Sequence, residues 1–286
     1  MTRKLAIAVV HGIGSQKENF ADAMIGAIRN RFSDLVKNQC SDPATQLVFK
    51  PVYWAGVFEK EERELWRRLE QSGDMNYKRL RLFVVNYLAD AIAYQPTAER
   101  RHNYDNVHQV VAESLQELSE EAGGDAPLCI IAHSLGSVIV SNYFYDLQYE
   151  PEKIRPMVRA SQRKSALARG ETLAQLYTLG SSLPLWCLRF QDFGNAIYVP
   201  APKFALHCPD IETGWWNYYD KDDILGYPLK ALNEHYERAV TEDVQVNAGG
   251  WLTSWNPFSH LEYANDQSIL HPIAERLAST WRQLNE

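Results

Sequence analysis

The sequence predicts an α/β fold, a mostly parallel sheet with helices on both faces. Short β-branched or aromatic runs bounded by turn residues alternate with stretches whose apolar residues recur at helical spacing, the pattern of parallel strands joined by crossover helices. A second observation is more abrupt. The apolar run Leu128–Ala132 stops at His133-Ser134-Leu135-Gly136, and another apolar run, Val138-Ile139-Val140, begins with no spacer. The third concerns organisation: the 286 residues show no internal repeat, low-complexity tract or Gly/Ser linker, and a hydrophobic content of 45% suffices for one substantial core. Residues 1–286 are therefore expected to form one domain.

The elements follow in order. Lys4–Val10 reads as the first strand; with Thr2-Arg3-Lys4 before it, the segment mimics a secretory leader, but its apolar part is short and lacks a small-residue cleavage site. Ala21–Lys37 carries Ile25, Ile28, Phe32, Leu35 and Val36 at helical spacing, and Leu47–Trp54 reads as the next strand. Arg100–Glu121 repeats Val107, Val110, Val111, Leu115 and Leu118 before Gly123-Gly124, a helix stop. Leu128–Ala132, Leu173–Leu179, Trp215–Tyr219 and Asp243–Val246 complete the strands. Helical patterns cover Leu229–Val240 and the C-terminal stretch containing His271.

Chain direction then assigns edges. Segments leaving the C-terminal end of a parallel strand lie on the ligand-binding edge of the sheet. Insertions at about 55–96 and 181–214 leave such ends, so both are expected over Ser134 as a helical and aromatic cap. The second contributes Trp186, Phe190, Phe193, Tyr198 and Phe204. The basic run Lys153, Arg155, Arg159, Arg163, Lys164 and Arg169 enters a strand instead and is expected as a solvated face on the far edge.

Composition narrows the function. A formal charge of −7 supplies no basic footprint for nucleic acid. The four cysteines, Cys40, Cys129, Cys187 and Cys208, have neither metal-site spacing nor a dense disulfide pattern, a usage that suits a reducing, cytoplasmic compartment. No apolar stretch approaches the roughly 20 residues that span a bilayer. No H-E-x-x-H or clustered His/Asp spacing calls for a metal, and none is expected. Gly12-Ile13-Gly14 is not followed by the third glycine or the G-K-[ST] of a phosphate loop, since Lys17 stands there.

What remains is nucleophilic chemistry at Ser134. A strand turns into a helix this sharply only where the flanking residues are small, because the two backbones nearly touch. Ala132 and Gly136 satisfy that requirement on either side of Ser134, whose hydroxyl is expected to be exposed at the tip of the turn. A serine hydroxyl needs a base, a partner that orients the base, and donors for the developing oxyanion.

The pentapeptide Ala132-His133-Ser134-Leu135-Gly136 resembles the G-x-S-x-G box of the α/β-hydrolase superfamily, with Ala132 for the first glycine. His11-Gly12-Ile13-Gly14 resembles the H-G-x oxyanion loop of its lipase and esterase members. The resemblance runs over nearly the whole chain and implies an α/β-hydrolase fold that starts at the family's third strand, without its first two. It implies the N–H groups of Ile13 and Leu135 as oxyanion donors, with His11, Gly12, Gly14, Ala132 and Gly136 supporting the motifs. The family order of serine, acid, histidine disfavours the histidines ahead of the acid. Of the remainder, His260 lies in a loop and sits in Ser259-His260-Leu261-Glu262-Tyr263, which resembles the S-H-x-x-Y around a lipase catalytic histidine. The acid is expected after the Trp215–Tyr219 strand, where spacing alone does not choose among three aspartates; Asp223-Ile224-Leu225 best resembles the lipase pattern of an acid directly before an apolar pair, with Asp222 second and Asp220 third. The resemblance thus implies a cofactor-independent hydrolase of carboxylic esters, acting on a small-molecule ester or lipid. The alternatives are an acyltransferase or thioesterase with the same residues, or a non-catalytic binding protein of this fold.

Overall fold

The structure, a computed structural model, describes residues 2–12, 17–71, 76–77, 81, 91–95, 102–208, 210–248, 260 and 262–286. Six strands form one sheet: β1 (Leu5–Val10), β2 (Leu47–Val52), β3 (Leu128–His133), β4 (Leu173–Leu179), β5 (Gly214–Asp220) and β6 (Glu242–Val246). Their order is β2-β1-β3-β4-β5-β6 and every pairing is parallel. The described helices include α1 (Asp22–Val36), α2 (Glu59–Gln71), α3 (His102–Ala122), α4 (Leu135–Tyr149), α5 (Pro156–Gln162), α6 (Leu183–Cys187), α7 (Glu234–Ala239) and α8 (Gln267–Asn285).

Side-chain alternation along the strands divides the core into two layers. Leu5, Ile7, Val9, Cys129, Ile131, Tyr177 and Leu179 pack with α1 and α8. Ala6, Ala8, Val10, Leu128, Ile130, Ala132 and Leu176 pack on the other side with α3 and α4. Strands covered on both faces must be apolar throughout, and all six residues of β1 are buried. β6, the last strand in the sheet order, carries Glu242 and Gln245 exposed. No described helix is long and apolar enough to cross a membrane.

Strand order positions the site. The chain steps from β1 outward to β2, then crosses back to β3 on the other flank of β1. Val10 and Ala132 are register partners, so His11-Gly12 and His133-Ser134 leave the sheet side by side. In open parallel sheets, the carboxyl ends of the strands beside such a reversal are where ligands bind.

The expected strands match the observed ones to within two residues at their ends. The helix expected over Leu229–Val240 is shortened to Glu234–Ala239. Its first residues are held otherwise: the N–H groups of Leu229 and Lys230 donate to the Asp243 carboxylate at 2.9–3.0 Å, and the Asn233 side chain caps the helix by accepting from His235 and Tyr236. The basic run is an ion-paired outer surface, with Lys153 on Glu150, Arg155 on Asp105, Lys164 on Glu120 and Arg169 on Glu171.

The cap expected over 181–214 needs correction. Ser181 and α6 stay near the carboxyl edge, but Ala201 N–H donates to Leu173 O at 2.9 Å, and Phe204 packs with Ala174 and Cys208. Residues 201–208 therefore lie at the strand-entry edge. The reason is topological: β5 runs parallel to β4, so the connection must descend the full height of the sheet before Gly214. Its aromatics are spent along the flank, Tyr198 stacking on Tyr149 of α4 and Trp186 packing on Tyr94. In the first insertion, Phe58 and Tyr94 enter the core while α2 buries no residue. Much of that expected cap, at 72–75, 78–80, 82–90 and 96, lies outside the described residues.

Candidate functional site

β3 runs into α4 through one residue. Ser134 has φ 52° and ψ −124°, a conformation that costs a non-glycine residue about 1–3 kcal/mol and persists only when neighbours enforce it. The neighbours are identifiable. Ser134 N–H donates to Leu179 O at 2.9 Å, and Ser134 O accepts from the Ser137 N–H at 3.0 Å and the Ser137 hydroxyl at 2.5 Å. A Cβ on Gly136 would stand 2.5 Å from His11 O and 2.7 Å from Val10 O, and one on Gly12 would stand 2.7 Å from Ser134 Cβ. Backbone from β1 thus presses against the turn on both sides, which only glycine permits. Ala132, fully buried, is the penultimate residue of β3, between Val10 and Thr178.

Three of the expected residues meet. His260 Nε2 is 2.7 Å from Ser134 Oγ, and His260 Nδ1 is 2.8 Å from Asp223 Oδ2. An ionised carboxylate only accepts, so Nδ1 carries the ring proton and donates to Asp223, leaving Nε2 to accept the Ser134 hydroxyl proton. Asp223 is anchored further by the Leu225 N–H on Oδ1 at 2.9 Å and the Tyr263 hydroxyl on Oδ2 at 3.0 Å. Burial pushes the Asp223 carboxyl up, but the hydrogen bonds and charge from His260, the Leu225 N–H and Tyr263 outweigh it and hold the group below its ordinary range.

The other two acid candidates are elsewhere. Asp222 is exposed. Asp220 is buried, but its carboxylate braces the turn, accepting from Asp222 N at 2.8 Å and from Ala248 N at 2.6 Å. Ile13 and Gly14, expected as a donor and a supporting glycine, lie outside the described residues, as do 251–259 and 261 beside His260. Leu135 is the first residue of α4, so its N–H has no intrahelical acceptor and sits at the positive end of the helix dipole.

His11 is a brace. Its ring stacks on Trp54 at 4.6 Å, its Nδ1 donates to Gly12 O at 2.7 Å, and its Nε2 accepts the Ala55 N–H at 3.4 Å. Trp54 Nε1 in turn donates to His11 O at 2.9 Å. Burial pushes the His11 pKa down to about 4, so the ring is neutral at physiological pH.

Three participants were not assigned from sequence. Tyr263 belongs to the S-H-x-x-Y context, and that spacing was the available signal; its hydroxyl accepts from Asp220 N at 2.7 Å while donating to Asp223. Gly180, at φ +54°, follows β4 directly, and a Cβ there would stand 3.1 Å from Asp223 Oδ2 and 3.2 Å from His260 Nδ1. His133, read only as part of the elbow, places Nε2 2.7 Å from His260 O.

The expectation of an exposed hydroxyl is corrected. Ser134 and His260 are both 0% accessible, because His260 covers the hydroxyl and Gly12 lies against the Ser134 side chain. A cavity of about 310 Å³ adjoins Gly12 and His133, with Val9, Phe20, Met24 and Ile131 among its apolar walls.

The two neutral histidines carry a stability consequence. Burial lowers His11 to about 4 and, with the His260 ring beside it, His133 to about 3, both from an unfolded value near 6.5. Between about pH 6.5 and 4 the unfolded chain holds protons that the folded chain does not, so stability falls as pH falls. The expected slope is about 1.4 kcal/mol per pH unit for each proton. Urea melts across this range are expected to show unfolding coupled to uptake of protons by both rings; a flat profile would contradict it.

No protein-family model matches this chain, and no curated protein does.

Proposed function

We propose that the protein is a serine hydrolase of the α/β-hydrolase class that cleaves carboxylic esters. The observation carrying this reading is the continuous relay Ser134–His260–Asp223, with contacts of 2.7 and 2.8 Å, on the carboxyl edge of a parallel sheet beside its order reversal.

Ser134 Oγ attacks the ester carbonyl as its proton passes to His260 Nε2. Asp223 holds the Nδ1–H tautomer and stabilises the imidazolium without taking the proton. The oxyanion receives the Leu135 N–H and, by the H-G-x resemblance, the Ile13 N–H. When the intermediate collapses, the C–O bond to the alcohol breaks and the imidazolium returns its proton to the leaving oxygen. Water then attacks the acyl-serine by the same route, releasing the acid and restoring the hydroxyl. A reducing, cytoplasmic setting accords with the four free cysteines.

A panel of p-nitrophenyl esters of increasing acyl length, assayed at neutral pH without added metal, tests the reading. Expected are turnover and an initial burst of nitrophenol no larger than the enzyme concentration. Folded protein that hydrolyses none of the panel contradicts it.

A further inference from the structure

We propose that His133 is a positioning residue for the reaction at Ser134: its ring grips the backbone carbonyl of His260 and so aims the imidazole at the hydroxyl. The inference rests on the hydrolase reading above and deepens it.

His260 comes from a part of the chain far from the sheet turn it serves, 126 residues beyond Ser134. Three hydrogen bonds fix it among the described residues. Two use its ring, to Ser134 and Asp223; the third, from His133, holds its main chain. The ring contacts set tilt and tautomer, but the one to Ser134 does not last through turnover, since Ser134 loses its proton and then carries the acyl group. The His133 contact has no part in the bond changes and persists through every step.

Its chemistry suits that task. A carbonyl oxygen only accepts, so His133 Nε2 must carry the ring proton. The ring lies 5.0 Å from that of His260 and 5.9 Å from that of Tyr263, so the clamp touches the same pair of side chains that align the relay. Burial and the His260 ring lower the His133 pKa to about 3, so it stays uncharged while His260 becomes an imidazolium beside it. A lysine or arginine donor here would place a permanent like charge against that cation. The location is also fixed: His133 is the last residue of β3, adjacent to the nucleophile, so serine and base are referenced to one rigid strand end.

The experiment compares His133→Leu with His133→Gln, whose side-chain amide can place a donor near the position of the imidazole Nε2. Measured are kcat and KM for a turned-over ester, Tm, and the rate at which a fluorophosphonate labels Ser134. Because misplacement by about 1 Å can cost about 100-fold, His133→Leu is expected to lose about 10- to 100-fold in kcat and in labelling rate. KM should change far less, and His133→Gln should recover most of the loss at matched Tm. Unchanged kcat and labelling in His133→Leu overturn the inference, and so do leucine and glutamine variants slowed equally in step with a fall in Tm. If wild-type Ser134 takes no label, the hydrolase reading falls and this inference with it. If wild type and His133→Leu label equally fast, this inference alone falls.

Discussion

Replacing Ser134 with alanine is expected to lower kcat for a carboxylic ester by about 10⁴- to 10⁶-fold, down to the rate supported by binding and oxyanion donors alone. The substitution removes the only atom that can form the acyl-enzyme. It also strips His260 Nε2 of its donor inside a site with no solvent access, so a stability loss of about 1–3 kcal/mol accompanies it. That is too small to unfold a typical domain, and Tm measured beside kcat separates lost chemistry from lost fold. A variant that keeps even a tenth of the wild-type kcat would remove Ser134 from the mechanism.

Asp223→Asn carries the second largest effect, about 10⁴-fold in kcat. The asparagine amide is nearly isosteric, so the turn held by the Leu225 N–H is retained. The electronics reverse, however. An amide nitrogen at the Oδ2 position faces both the His260 Nδ1–H and the Tyr263 hydroxyl, two donors meeting a third. The ring escapes by moving its proton to Nε2, which can then no longer accept from Ser134, and the imidazolium loses its counter-charge. Asp222→Asn is the matched comparison: its side chain is exposed and touches none of the relay, so kcat should stay within about twofold, the usual scale for such surface changes. Equal losses in the two variants would return the acid assignment to the open set of Asp220, Asp222 and Asp223.

That open set shows where the sequence stops being informative. The strands were legible because a strand buried on both faces must be an apolar run, and the elbow because small residues flank Ser134 with no room for a spacer. Three aspartates within four positions cannot be separated that way. Which one meets the imidazole is decided by contacts from elsewhere in the chain, the Tyr263 hydroxyl and the close approach of Gly180, neither visible in the pattern around the aspartates. The cap shows a different limit. Aromatic content marks a segment that packs, not what it packs on, and the need to enter β5 from its far end carried Phe204 away from Ser134. The shortened helix at Glu234 has the same origin, since Asp243 on a later strand captures the N–H groups that helical periodicity would have used. His133 was legible as a member of the elbow but not as a clamp, because its partner is a main-chain carbonyl from the other end of the chain.

The most direct measurement is the intact mass of the protein after exposure to a fluorophosphonate, followed by peptide mapping. The relay predicts one adduct per chain, on Ser134, formed rapidly by wild type, slowly by His260→Ala and not at all by Ser134→Ala. Folded wild-type protein that gains no mass, or that carries its adduct on another residue and keeps it in Ser134→Ala, would contradict the account.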